Sequence, residues 1–371
     1  MQFAKKIPIV FMLFTCICVT SADKENCLDV RDDEVFEGQV DALVRRVRMP
    51  RAQVGLCEEL KQDLQRHFRR LWPDCKLEVF GSIPKGLALV TSDIDLYVHI
   101  PDVKDTPGNL VRIAADILKI DDSYKIIGTF PDNEVPLLKL RHEPTGQPVD
   151  VVFSHFNLKT ENELIKYLFY ADHRTLKLMV VIKHWTNMHQ IAVPPFMPGV
   201  SWSLMVIFYL QQINIFPPIN ELQKDTPPEM LENWNVAFEQ HFKYIYPSEN
   251  NDSLYKLLGG FFSYYADFDF ENNMISIFLG SPVKRELFKK IETVPDVFDL
   301  YKYNVKNNLS DPINNLDAHF CIQRPFMHNC NIAKDDAELA IKIKKHLKEA
   351  TNIYKVTTRE EFLPTLLSIN L

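Results

Sequence analysis

The chain has 371 residues, of which 46% are hydrophobic and 11% aromatic, and its formal net charge at pH 7 is −7. The length leaves room for two domains with sizeable cores, and the composition is that of an ordinary globular protein without repeats or low-complexity tracts. The negative charge speaks against a protein that binds nucleic acid strongly and without specificity.

The first 22 residues have the pattern of a secretory signal peptide. Lys5 and Lys6 precede an apolar run over residues 7–20, and the small residues Ser21 and Ala22 follow it. The run is short for a membrane span, so a cleaved signal would leave no stable span behind. The cysteines that remain are odd in number and lack zinc-like spacing, which is more typical of a reduced cytosolic protein. The sequence therefore leaves the compartment open between the secretory pathway and the cytoplasm. The remaining cysteines are Cys27, Cys57, Cys75, Cys321 and Cys330.

Residues 34–72 are predicted to form helices that lead into the first sheet. The side chains that fit helical spacing there are Glu59, Leu60, Leu64, Phe68 and Leu71.

The segment over residues 79–98 carries the strongest functional signal. Gly81 and Ser82 stand on a predicted tight turn, and Asp93 and Asp95 open an apolar, β-branched run. In a strand, side chains two residues apart share a face, so both carboxylates point the same way. Like charges on one face need compensation, commonly a divalent cation, and the N–H groups of a glycine turn can hold a phosphate. These features favour a nucleotide–metal site over a hairpin with solvated aspartates.

A third acid follows on a predicted hairpin. Residues 136–140 and 149–153 predict two strands joined by a turn-rich segment. Asp150 is the only acid in the second strand and has apolar neighbours on both sides, where an unpaired carboxylate would be costly. We expect Asp150 to lie beside Asp93 and Asp95 and to share their metals; the alternative is an edge position that faces water.

This pattern of a Gly-Ser turn, an Asp-x-Asp pair and a distant aspartate resembles the polymerase-β-like nucleotidyltransferases. The downstream sequence resembles, more narrowly, the noncanonical poly(A) polymerases and terminal uridylyltransferases, which add nucleotides to RNA 3′ ends. The resemblance implies an α+β fold, with a mixed-sheet nucleotidyltransferase domain and a mainly helical central domain of the PAP-associated type. Beyond the signal peptide predicted at 1–22, it implies the boundaries 34–72 for the lead-in helices, 73–158 for the catalytic domain, 159–300 for the helical domain, and 301–355 for a return to the catalytic domain and a C-terminal helix.

The resemblance also assigns nucleotide-binding roles. Lys183 holds the position of a family lysine that binds the triphosphate, and Asn187 stands where a second lysine is often seen. Ser201 and Trp202 resemble a Ser-Tyr pair in which the serine meets the phosphates and the aromatic ring stacks on the base. With Gly81 and Ser82, these residues form the expected nucleotide-binding set. Of the aromatic residues further on, Phe261, Phe262 and Tyr265 are expected in the core.

One segment departs from the family pattern. Gln323 and Arg324 stand before a Pro-Phe pair, where family members carry two acids. His328 and Cys330 lie close to the position at which a histidine favours uridine in some relatives. They are the expected base-reading residues, and the preference between UTP and ATP stays open.

The resemblance implies a mechanism with two metal ions. Asp93, Asp95 and Asp150 would hold two Mg²⁺ or Mn²⁺ ions about 4 Å apart, which activate the RNA 3′-hydroxyl and bind the triphosphate. The expected substrates are an RNA 3′ end and a nucleoside triphosphate, and an acidic chain without an RNA-binding module favours an RNA-recruiting protein as a partner. Two alternatives remain open: a synthase of small nucleotide products, of the oligoadenylate or cyclic dinucleotide type, and a catalytically silent relative.

Overall fold

The computed structural model describes residues 21–133, 135–153, 158–241 and 248–368. The predicted signal peptide lies outside the described residues, except for its last two positions. In the described part of the chain, no helix is both long enough and apolar enough to cross a membrane.

A five-stranded mixed sheet forms the first half of the molecule. Its strand order is β1-β2-β5-β4-β3; β2 and β5 run parallel, and the other neighbours are antiparallel. The predicted hairpin is confirmed as β4 and β5. The strands are β1 Lys76–Phe80, β2 Ile94–His99, β3 Tyr124–Phe130, β4 Leu137–His142 and β5 Gln147–Val152.

Alternation of side chains fixes which face of this sheet is buried. Along β2, Ile94, Leu96 and Val98 are buried, and the residues between them are partly exposed. The buried face packs against two helices, α2 (Arg51–Phe68) and α3 (Pro107–Leu118), in a core separate from that of the helical body. The opposite face, which carries the predicted acids, is thereby left open.

Helices make up most of the rest of the molecule, with short strands between them. A large buried cluster rich in aromatic residues holds these elements together. The helices are α1 Ser21–Val47, α4 Leu158–Ala171, α5 His173–Met188, α6 Gly199–Gln212, α7 Ile219–Gln223, α8 Leu254–Ala266, α9 Asp299–Lys306, α10 Ala337–Val356 and α11 Arg359–Ser368. The short strands are β6 Met230–Leu231, β7 Trp234–Asn235, β8 Asn273–Ser276, β9 Val283–Lys284 and β10 Ile322–Gln323, with 3₁₀ turns at Arg285–Phe288 and Asp296–Phe298.

Two of the expected boundaries differ from the packing. The lead-in segment divides, because α1 packs on α5, α8 and α11 in the helical body while α2 packs on the sheet. Residues 301–355 do not return to the sheet; β10 pairs with β8, and α10 packs on α8. The reason is the apolar face of α10, whose buried Ile343, Leu347 and Ala350 belong to the helical core. Helix α11, which the sequence did not predict, extends that core.

Candidate active site

Strand register brings the predicted acids together. Asp95 on β2 is the register partner of Asp150 on the parallel strand β5, and Asp93 lies two residues before Asp95, directly ahead of β2. Asp93 and Asp95 are both partly exposed on the open face of the sheet. The three carboxylates therefore share one site, although two of them are separated from the third by more than fifty positions in sequence.

The backbone at Gly81 lies directly against the Asp95 carboxylate. Gly81 has φ +74°, and a Cβ atom added to it would stand 1.9 Å from Asp95 Oδ2. Only glycine combines this left-handed conformation with so close an approach. The turn that Gly81 begins is closed by hydrogen bonds from Gly86 N–H to the Ile83 carbonyl (2.9 Å) and from Leu87 N–H to the Ser82 carbonyl (2.9 Å).

Gly86 docks the far end of this turn onto helix α4. It has φ +70°, and an added Cβ would stand 2.2 Å from the Tyr170 hydroxyl oxygen and 2.7 Å from Arg48 Nη2. Arg48 Nη2 in turn donates a hydrogen bond to that hydroxyl at 3.3 Å. The turn over residues 81–87, which we call the Ser82 turn, is therefore held between the sheet and the helical body.

Crowding of like charges perturbs the site. Burial, together with the Asp150 and Asp93 carboxylates, raises the pKa of Asp95 to about 7, while Lys85 and Lys183 oppose the shift. The pKa of Asp150 is also raised, mainly by burial, while a hydrogen bond from Lys139 acts the other way. Such a set of carboxylates is stabilised when a cation joins it.

The Lys139 ammonium supplies part of the positive charge that stabilises these carboxylates. Its Nζ donates to Asp150 Oδ2 at 2.7 Å, across the antiparallel pair β4–β5. Among the described residues, no three His, Cys, Asp or Glu side chains are already grouped to hold a metal ion. The donor set fits Mg²⁺ or Mn²⁺ all the same, since it consists of three carboxylates beside a glycine turn whose backbone lies against Asp95.

Lys183 approaches the same site from helix α5. Asp172 caps this helix by accepting a hydrogen bond from Arg174 N–H at 2.8 Å. Lys183 Nζ donates to the Leu87 carbonyl at 3.1 Å and to Ser92 Oγ at 3.2 Å. Burial and the nearby Lys85 lower the pKa of Lys183 to about 8, while the Asp95 and Asp93 carboxylates oppose the shift.

Ser201 and Trp202 do not lie where the sequence placed them. Both are fully buried on α6, and the Trp202 ring packs edge-on against Trp185 at 6.0 Å. Residues 201–211 of this helix are buried without interruption, so the Ser-Trp pair belongs to the helical core. The expected phosphate contact and base stacking are corrected accordingly. The residues of this helix that are not buried are Gly199 and Val200 at its start and Gln212 at its end.

The segment expected to read the base is also mostly interior. His328 is 5% exposed and packs against Phe278, with ring centroids 4.1 Å apart, and against Trp234 and Phe298. Burial lowers its pKa to about 3. Because the ring is buried among these aromatic side chains, the expectation that His328 reads the base is corrected; Cys330 is partly exposed.

Gln323 and Arg324, which stand where family members carry two acids, both make hydrogen bonds within the protein. Gln323 accepts a hydrogen bond from Ser276 Oγ at 2.7 Å and donates one to the His328 carbonyl at 2.9 Å. Arg324 Nη1 donates to Glu161 Oε2 at 2.7 Å, and both side chains of this ion pair are nearly buried. The pair joins the β10 segment to α4.

The sequence pattern missed three charged residues around the acids. Lys85, Lys139 and Glu161 each come within electrostatic range of Asp95 or Asp150 or of the residues beside them. A lysine between Pro84 and Gly86 is typical of a solvated turn, so no local signal marked Lys85. Lys139 could have been found, because it stands opposite Asp150 in the predicted hairpin.

Two family models match this chain. The first is described as the central palm domain of mitochondrial-like poly(A) RNA polymerase and matches residues 36–169; the second is described as Cid1 family poly A polymerase and matches residues 253–329. Together they cover more than half of the chain. The first contains all three acids and the Ser82 turn.

Relatives with known names agree with these matches. A terminal uridylyltransferase, cid1, from Schizosaccharomyces pombe is 30% identical over 215 residues, which are 53% of this chain and 50% of that protein. The mitochondrial poly(A) RNA polymerase of Mus musculus is 24% identical over 339 residues, which are 81% of this chain and 52% of that protein. The chain spans between 18% and 52% of the length of the curated relatives that it matches.

A solved structure of a cytoplasmic RNA terminal U-transferase superposes on 90% of this chain and 98% of its own, with a TM-score of 0.71 at 20% identity. The fold is therefore that of the polymerase-β-like nucleotidyltransferases, α+β with a mixed sheet, as the sequence predicts. Within that class, the predicted resemblance to the noncanonical poly(A) polymerases and terminal uridylyltransferases is confirmed by both family models and by the named relatives.

Proposed function

We propose that this protein adds nucleotides, from UTP or ATP, to the 3′ end of RNA without a template. The observation that carries the proposal is the pairing of Asp95 with Asp150 across β2 and β5, with Asp93 beside them and the Ser82 turn in contact. Relatives named as terminal uridylyltransferases and poly(A) polymerases support the same reaction class.

We propose Mg²⁺ or Mn²⁺ as the cofactor, held by Asp93, Asp95 and Asp150. When bound, such ions lower the pKa of an attacking hydroxyl and stabilise a departing pyrophosphate. For Asp150 to take part, its carboxylate must exchange the Lys139 ammonium, now at 2.7 Å, for the cation. The partial exposure of Lys139 lets its ammonium move into solvent when this happens.

The other residues of the site bind and orient the substrate. Backbone N–H groups and the Ser82 hydroxyl in the turn that begins at Gly81 would donate to phosphate oxygens. Lys183 would contribute a positive charge from α5, near the Leu87 carbonyl and Ser92 Oγ that it now contacts. Fixed donors of this kind lower the barrier by positioning the triphosphate and stabilising the charge that develops on it.

RNA is the proposed second substrate, and a recruiting protein is the proposed partner. The formal charge of −7 gives the chain little general affinity for a polyanion. Specific targeting would then depend on another protein that brings an RNA 3′ end to the cleft.

Primer extension on a denaturing gel tests the proposal. Purified wild type is incubated with a labelled single-stranded RNA, Mg²⁺ or Mn²⁺, and each of the ribonucleoside triphosphates in turn. We expect extension with UTP or ATP by wild type and by the control Lys119→Gln, whose side chain is in an exposed ion pair with Asp116 on α3. The double variant Asp93→Ala/Asp95→Ala should be inactive. Extension by the double variant would contradict the assignment, and products made without RNA would favour a small-product synthase.

The compartment is a proposal from sequence. We propose that residues 1–22 direct the chain into the secretory pathway, with the cytoplasm as the competing outcome. Asn251 and Asn308 both begin glycosylation sequons, and both are exposed. Treatment of cell-made protein with a peptide N-glycosidase should therefore reduce its mass. An unchanged mass, together with fractionation in the cytosol, would overturn this proposal.

A further inference from the structure

Lys85 is a buried lysine whose amine lacks a partner among the described residues. It stands in the turn that connects β1 to β2, three residues after Ser82, and its exposed fraction is 6%. No hydrogen bond or ion pair to Nζ occurs in the described part of the chain. An ammonium group held at such low exposure without a hydrogen-bonded partner is costly, so a residue held in this way calls for an explanation.

The groups around Lys85 direct its charge toward the acids. The carboxylates of Glu161 and Asp95 attract the ammonium, and the guanidinium of Arg324 repels it. Glu161 is already engaged by Arg324 at 2.7 Å. Lys85 is therefore held between a satisfied ion pair and the carboxylate that the proposed cofactor would occupy.

A second lysine reaches the same turn from the opposite element. Lys183 Nζ contacts the Leu87 carbonyl, two residues beyond Lys85, and the two ammonium groups repel each other. Two buried cations that repel each other are stabilised together by one anion placed between them. Beside them lies the Ser82 turn, which offers N–H groups of its own.

We propose that Lys85 is a triphosphate-binding residue, which acts with Lys183 to hold the β- and γ-phosphates of the incoming nucleotide beside the Ser82 turn. This assignment rests on the proposed function. A triphosphate is a compact anion whose oxygens accept charge-assisted hydrogen bonds from ammonium groups, which are stronger than neutral ones. The nucleotide would thereby supply a hydrogen-bonded anionic partner, which Lys85 Nζ lacks among the described residues.

Calorimetric titration of the full chain in Mg²⁺ separates this role from a structural one. Three ligands are titrated. The first is the nucleoside triphosphate that wild type binds, UTP or ATP; the second is the monophosphate of the same nucleoside; the third is inorganic tripolyphosphate, which has the phosphates but no base. For Lys85→Gln we expect affinity for the triphosphate and for tripolyphosphate to fall about tenfold to a hundredfold, since a charged hydrogen bond is lost. Affinity for the monophosphate should stay within about twofold, and Tm should hold or rise, because an unpartnered buried amine has been removed.

A matched control and a second variant complete the test. Lys119→Gln removes an exposed lysine and should bind all ligands as wild type does. Lys85→Met keeps the aliphatic stem and should reproduce the result of Lys85→Gln, which guards against a folding defect in one variant. If Lys85→Gln binds monophosphate and triphosphate less tightly by the same factor and has a lower Tm, Lys85 is a structural counter-ion and the assignment is overturned. The assignment is also overturned if Lys85→Gln binds the triphosphate as tightly as a wild type that extends RNA. A wild type that neither binds nor incorporates nucleotides would instead overturn the proposed function itself.

Discussion

Asp95 and Asp150 are register partners across β2 and β5, the parallel pair of the five-stranded sheet. Parallel pairing sets the two side chains on the same face at the same level, with the Gly81 backbone packed against Asp95. Repulsion between these carboxylates lowers the stability of the folded protein.

Asp95→Asn should stabilise the fold, and more so at higher pH. The pKa of Asp95 is raised from 3.8 to about 7 in the folded protein. The folded state therefore binds the proton more tightly than the unfolded chain, so stability falls as pH rises from about 4 to about 7. An amide carries no such penalty. We expect a gain on the order of 2 kcal/mol at about pH 8 and much less at about pH 5, since Asp95 is partly exposed to solvent.

Thermal or urea unfolding at the two pH values measures this gain. Asp116→Asn, which changes an exposed carboxylate on α3, is the matched control and should show no comparable dependence. A loss of stability in Asp95→Asn at high pH would mean that Asp95 is favourably paired, contrary to the geometry described above.

Divalent cations should stabilise the wild type against heat in the absence of nucleotide. A ligand that binds only the folded state raises Tm by mass action, and about 10 mM MgCl₂ should produce a rise if the acids bind it in that range. Asp93→Ala/Asp95→Ala should lose the effect. Differential scanning fluorimetry with KCl at the same ionic strength controls for general salt effects, and equal shifts in both proteins would place the metal elsewhere.

Lys139→Gln should move the acidic limb of the activity profile to higher pH. The Lys139 ammonium, 2.7 Å from Asp150 Oδ2, lowers the pKa of a carboxyl that burial raises. Without it, Asp150 is protonated over a wider range and binds a cation less well. Because Lys139 is partly exposed, the shift should be roughly one pH unit or less. Initial rates of extension across the acidic range measure it, and a profile that keeps its midpoint would show that Asp150 does not control this limb.

Trp202→Leu should lower stability without changing nucleotide affinity. The Trp202 ring is fully buried against Trp185, so its loss leaves a cavity that costs about 3 kcal/mol. A ring that stacked on a base would instead contribute about 1–3 kcal/mol to binding, and its removal would weaken UTP or ATP by tenfold or more. Unfolding and calorimetric titration on the same preparation distinguish the two roles, because only the second predicts weaker binding.

The parts of the site that could be predicted from the sequence are those set by residues close together in the chain. The alternation of Ile94, Leu96 and Val98 placed Asp93 and Asp95 on one open face, because a strand has a period of two residues. The hairpin containing Asp150 is an equally local feature, and the structure contains it.

The remaining features depend on packing that no local pattern reports. Helix α6 is apolar on all sides. Its sequence therefore has no polar face that would show whether Trp202 points toward the nucleotide site or into the core. The contact of Arg324 with Glu161 joins residues 163 positions apart, and the burial of Lys85 depends on the helical body docking over its turn. Turn lysines are usually solvated, and only the tertiary structure distinguishes this one.

The central claim is that the paired acids direct nucleotidyl transfer to an RNA 3′-hydroxyl. It is tested most directly by incubating wild type with an α-labelled triphosphate and Mg²⁺ under three conditions: RNA with a free 3′-hydroxyl, the same RNA ending in a dideoxynucleotide, and no RNA. The account predicts label in lengthened RNA in the first condition alone, and none in any condition for Asp93→Ala/Asp95→Ala. Labelled product in the absence of RNA, label on the blocked RNA, or no transfer under any condition would contradict it.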